Sequence, residues 1–100
     1  GTAPRNGLYG EIVAKGDAYG QAVQVLKNIR ASLEAVGAGV DDVVRSRIYI
    51  TNMEHLWDIG RAHLEVFGSV NPAVSLLHVE GFFDPDVMLE MEVDAYLETA

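Results

Sequence analysis

Three carboxylates recur at every second residue of the segment VMLEMEVDAYL, Val87 to Leu97: Glu90, Glu92 and Asp94. On an extended chain the period of two puts them on one face with Met88 and Tyr96. Val87, Leu89, Met91, Val93, Ala95 and Leu97 share the other face. Two kinds of chemistry fit such a row. It can be a solvated sheet face, its acids paired across strands with Arg45 and Arg47 of DDVVRSRIYI, each exposed pair contributing about 0.2 to 1 kcal/mol. Alternatively, one carboxylate is shielded from water, its pKa rises, and it can act as a general base.

No other residue set offers a stronger site. His55, His63 and His78 lack the i, i+4 spacing that would put two imidazoles on one helical face, and there is no cysteine to supplement them, so no metal centre is expected. His63 reads as a hydrogen-bonded histidine at the margin of a core, and His78 as a strand residue at an interface. Ser32, Ser46, Ser69 and Ser75 have no GxSxG turn around them. Gly10, Gly16 and Gly20 match neither a phosphate loop nor a dinucleotide fingerprint. No cofactor is implied.

The elements that must position the acids can be read from periodicity. YGEIVAKG allows one short strand. Asp17 can cap a helix over residues 18–36 whose buried stripe is Ala22, Val25, Leu26, Ile29, Leu33 and Val36, ended at Gly37 to Gly39. A β-branched strand follows over residues 41–50. Asn52 can cap a second helix over residues 54–67 with Leu56, Ile59, His63, Val66 and Phe67 inward, stopped by Gly68. After the SVNPA turn, residues 73–79 read as a strand, and GFFDPD turns the chain into the acidic strand as its hairpin partner. The order β-α-β-α-β-β predicts a single α+β domain over residues 1–100, a two-layer sandwich of a mixed sheet with two helices on one face.

If Val44, Ile48 and Ile50 meet the helices, Arg45, Arg47 and Tyr49 face away, and Val74, Leu76 and His78 are expected beside Met88, Glu90, Glu92, Asp94 and Tyr96. That second face is neither greasy nor fully polar, and its apolar part is large for a monomer to leave in water. A subunit interface is the expected cover. A chain of 100 residues buries a modest core and gains from a partner. The net charge of -8 opposes binding to a phosphate backbone, so no nucleic acid is expected. No apolar run approaches a bilayer span, so no membrane partner is expected, and the absence of cysteine fits a reducing compartment, the cytoplasm.

The opening GTAP, the segment GDAYGQAVQVLKNIRASLEAVGAGVDDVVRSRIYITNM and above all NPAVSLLHVEGFFDPDVMLEMEVDAY resemble the Rid family, the reactive-intermediate imine deaminases of YjgF type, also called endoribonuclease L-PSP. The likeness runs from Gly1 to Tyr96. It implies a chorismate-mutase-like fold and a homotrimer that binds a small metabolite in clefts between subunits. In deaminating members an arginine after the Pro-Ala pair grips the substrate carboxylate and a glutamate on the last strand positions the hydrolytic water. The resemblance puts the catalytic glutamate at Glu92 and the substrate-binding positions at Gly1, Val74, Ser75 and Leu76. It leaves Glu90 and Asp94 to structural or solvated roles.

Val74 stands where the arginine would be, and a valine offers neither of the two charge-assisted hydrogen bonds of a guanidinium clamp. Standard imine or enamine deamination is therefore not expected of this chain. Two other readings stay open: a hydrolase of deaminase type acting on an uncharged imine through Glu92, and a non-catalytic interaction or chaperone-like trimer. RNA cleavage ranks last, since no basic groove and no paired histidine and lysine serve it. Family chains carry a further β-hairpin before the residues matching Gly1, and this chain is expected to lack it.

Overall fold

The computed structural model describes residues 1–7 and 9–98. Helix α1, Ala18–Ala35, starts where Asp17 accepts a hydrogen bond from the Gly20 N–H at 3.0 Å. It ends where Gly37 takes a left-handed φ of 82°, so that Ala38 N–H reaches the Leu33 carbonyl and Gly37 N–H that of Glu34. Val36, expected in the buried stripe, falls past the last turn and is exposed. Helix α2, Leu56–Phe67, follows a short 3-10 turn over Met53–His55 that Asn52 caps through Glu54 N–H. Among the described residues, no helix is long and apolar enough to cross a membrane.

The sheet has three strands among the described residues, β1 (Val43–Ile50), β2 (Ala73–His78) and β3 (Leu89–Ala95), in the order β2-β1-β3. Strand β1 is central, parallel to β2 and antiparallel to β3. The expected hairpin between the last two strands is therefore not formed. Residues 79–88 instead carry the chain across the end of β1 to the opposite edge. The expected first strand reduces to an isolated bridge between Arg5 and Ile12, and a second bridge joins Thr2 to Met91 on the outer edge of β3.

Both helices pack on one face of this mixed sheet, giving the two-layer α+β architecture. The core holds Val25, Leu26 and Ile29 of α1, Ile59 and Phe67 of α2, and Ile48, Ile50, Leu89 and Met91 of the sheet. Gln21, fully buried on α1, ties loops to this core. Its amide donates to the Val13 and Asp86 carbonyls, and its Oε1 accepts from Met88 N–H. His63 sits at the core margin, hydrogen-bonded to Ser46 Oγ at 3.0 Å as its position on α2 requires.

Register decides which residues share a face. Ser46, Ile48 and Ile50 are aligned with Val74, Leu76 and His78 on one side and with Val93, Met91 and Leu89 on the other. These rows face the helices. Val74, Leu76 and His78 were expected on the opposite face. Parallel pairing of β2 with β1, in place of a hairpin with β3, turns them to the helix side. Val44 also departs from expectation, because a register shift between Val43 and Arg45 buries Val43 and leaves Val44 exposed.

Candidate functional site

The open face of the sheet carries three rows: Ala73, Arg45 and Asp94; Ser75, Arg47 and Glu92; Leu77, Tyr49 and Glu90. Within them, Arg47 Nη1 lies 3.3 Å from Asp94 Oδ2 and 3.5 Å from Glu92 Oε1. The Tyr49 hydroxyl donates to the same Glu92 oxygen. This hydrogen bond, with desolvation and the nearby negative charge, raises the Tyr49 pKa above the ordinary phenol value. Glu92 is thus held from two sides by β1.

Glu90 has a different environment. It is only partly exposed, and among the described residues no guanidinium or ammonium lies within ion-pair distance of it. Burial pushes its carboxyl above the usual range, while the amino group of Gly1 and the charge of Arg5 pull less strongly the other way. Gly1 lies directly against it: a Cβ on Gly1 would stand 3.0 Å from Glu90 Oε1. The expected cross-strand pairing of Glu90 with an arginine is not formed, since Arg47 turns to Glu92 and Asp94 instead, and Glu90 stands part-exposed. Two glutamates two residues apart look alike in the sequence. Non-local contacts distinguish them: Tyr49 and Arg47 of β1 hold Glu92, and the Gly1 segment lies against Glu90.

Gly1 and Ser32 line two adjoining hollows. One, about 380 Å³, also touches Thr2, Ile29, Leu33, Glu92 and Val93. The other, about 230 Å³, is bounded by the segment from Gly1 to Arg5 and by Asn28, Ala31 and Ser32 of α1. Of the sequence-derived site residues, the structure brings Gly1 and Glu92 together. Ser75 shares a row with Glu92, one strand removed. Val74 and Leu76 lie on the helix side of β2, where Val74 borders a hollow formed with Gly60, His63, Leu64 and Phe67 of α2 and with Pro72. In one chain they do not meet the acids.

The profile of the family described as Endoribonuclease L-PSP matches residues 1–97. The chain belongs to that family. A RutC family protein of Pyrococcus horikoshii is 38% identical over 98 residues, covering 98% of this chain and 76% of its own length. An uncharacterized protein of Streptomyces coelicolor is 37% identical over 89 residues, which are 89% of this chain but 63% of its own. The chain thus spans less than two thirds of that relative. Among solved structures, Rv2704 of Mycobacterium tuberculosis, of the YjgF/YER057c/UK114 family, superposes with a TM-score of 0.84 at 32% identity, covering 97% of this chain and 75% of its own. Escherichia coli TdcF with bound serine gives 0.87 at 29%, covering 98% and 77%. The two-layer fold of these L-PSP proteins is the fold of this chain.

Proposed function

We propose that this L-PSP family chain binds a small metabolite in clefts completed by neighbouring copies of itself, in a cytoplasmic homotrimer. One observation carries the reading. The acids Glu90 and Glu92 and the residues Val74 and Leu76 lie on opposite faces of a single sheet, so a cleft that uses both sets needs two chains. The open face offers what such an assembly would cover: a mixed surface with Leu77 and Tyr96 exposed around a charged centre. That a relative, TdcF, was crystallised with bound serine supports a small ligand.

Within this reading standard imine deamination is disfavoured by Val74. A hydrolase acting on an uncharged imine remains the second reading, favoured by a shielded carboxylate beside Gly1. Glu90 suits the task of general base better by burial, and Glu92 by lining the larger hollow. RNA cleavage gains no support from a face whose two arginines are balanced by three acids.

Serine titration followed by amide resonances tests the cleft. Shifts at Thr2, Ser32 and Val93 are expected, and shifts confined to other surfaces would remove the basis of the proposal. Hydrolysis of 2-aminoacrylate is expected to stay near the uncatalysed rate. Turnover comparable to arginine-bearing relatives would reverse the role assigned to Val74.

A further inference from the structure

The outer side of α2 carries an apolar stripe that neither the core nor the open sheet face explains. Ile59, Ala62, His63 and Phe67 of this helix point into the protein. Trp57 and Leu64, two helical turns apart, share the opposite side and are 84% and 67% exposed. Met53, in the 3-10 turn that leads into α2, is 45% exposed at the start of the stripe. Gly60 stands between Trp57 and Leu64, and no side chain lies within 4 Å of the place its Cβ would take, so the stripe has a notch at its centre. Single exposed apolar residues are ordinary. The only tryptophan of the chain, aligned with a leucine on one helix side, makes a patch of the kind that marks an interaction surface.

The charges beside the stripe favour one sign. Glu54 and Asp58 flank Trp57 in the chain, and Glu54 forms no ion pair among the described residues. Arg61 is the only lysine or arginine of α2. It is drawn off the stripe toward α1, its guanidinium 3.8 Å from the centre of the Tyr19 ring and its Nη2 3.9 Å from Asp58 Oδ1. The Tyr19 phenol in turn donates to Glu65. Among the described residues of α2, the side bearing Trp57 and Leu64 is thus left without a cation, in a chain of net charge -8. A positively charged partner is attracted at a distance and meets acids at the tryptophan end. The stripe lies on the far side of the helix layer from the open sheet face, so copies that cover that face leave it free.

We propose that the side of α2 bearing Trp57, Gly60 and Leu64 docks a basic amphipathic helix of another protein. Apolar residues of the docked helix lie along Trp57 and Leu64, with one side chain seated at Gly60, as ridges of one helix fill the grooves of another. Its lysines and arginines meet Glu54 and Asp58, and one of them meets the face of Trp57, whose ring attracts a cation. The contact is a single helix face, so the complex is weak and reversible. Docking there needs neither the ligand cleft nor the trimer.

Trp57, as the only tryptophan, reports on this surface by its own fluorescence. The intact protein is titrated with a peptide of about 18 residues that forms a Leu/Lys amphipathic helix, with its Leu/Glu counterpart, and with a Ser/Lys peptide of equal charge. The Leu/Lys helix is expected to shift the emission saturably to the blue, and the other two to bind at least about ten-fold more weakly. Leu64→Gln is expected to weaken the Leu/Lys helix about ten-fold while leaving the circular dichroism spectrum unchanged. Glu54→Gln is expected to weaken it less and to lower its salt dependence. Val23→Thr, at an exposed apolar position of α1, is expected to leave binding unchanged. Binding insensitive to Leu64→Gln, or equally tight for the Leu/Glu or Ser/Lys peptide, would overturn the docking face, as would no blue shift with any peptide. Emission that moves to the blue with protein concentration alone would assign the stripe to a second copy. A shift produced by phosphatidylcholine vesicles but by no peptide would assign it to a membrane. Either result overturns the proposal.

Discussion

Tyr49 and Glu92 face each other diagonally across β1 and β3, the phenol donating to the carboxylate oxygen that also receives Arg47. Glu90, directly opposite Tyr49 in register, does not take that bond. The hydroxyl thereby selects which of two neighbouring acids is tied to β1 and which is left to the Gly1 segment. A raised folded pKa for Tyr49 means that its neutral form is favoured, so this contribution is present below the ordinary phenol pKa and fades as pH rises through the folded value. In a tyrosinate absorbance titration, Tyr49→Phe is expected to delete one late-titrating phenol. An unchanged late phase would place Tyr49 elsewhere.

Glu90 gives the opposite dependence for an acid of its type. Because burial raises its folded pKa, the folded chain holds the proton at pH values where the unfolded chain has released it. Stability therefore falls as pH rises from the ordinary carboxylate value through the folded one. Glu90→Gln is expected to flatten that slope and to leave the protein at neutral pH as stable as the parent, within about 0.5 kcal/mol, or slightly more so. Urea unfolding at several pH values measures it, and a clear destabilisation by Glu90→Gln at neutral pH would contradict the assignment.

Ser46 and His63 form a buried polar pair, and removal of one partner strands the other. Ser46→Ala leaves the His63 Nε2 without its partner in the core and is expected to cost about 1 to 3 kcal/mol in chemical denaturation. His63→Leu in that background should recover part of the loss. Burial also lowers the His63 pKa from 6.5, so the unfolded chain takes up a proton first on acidification. Stability is expected to fall as pH drops from about 6.5 toward the folded value, and His63→Leu should remove that component. A slope unaffected by His63→Leu would assign it to other groups.

What could be read without coordinates followed from local rules. Asp17 and Gly37 bracket α1 because capping needs only neighbouring backbone groups, and the alternation of Leu89, Met91 and Val93 marks the inner face of β3. Partner choice between strands is not local. Val74, Leu76 and Leu77 are all apolar, so neither face of β2 is marked as inner, and the strand's assignment to a hairpin was underdetermined. The two valines at 43 and 44 hide a register shift that only pairing with β3 reveals. The candidate site was half legible for the same reason. The acid row is printed in the sequence, whereas the contrast between Glu90 and Glu92 depends on non-local contacts with β1 and with the Gly1 segment.

The central claim is that further copies of this chain cover the open face bearing Arg47, Glu90 and Glu92. Sedimentation equilibrium of the purified 100-residue chain measures this directly. The expected mass is three times that of the 10.9 kDa chain. A single chain mass persisting at the highest soluble concentration would contradict the account.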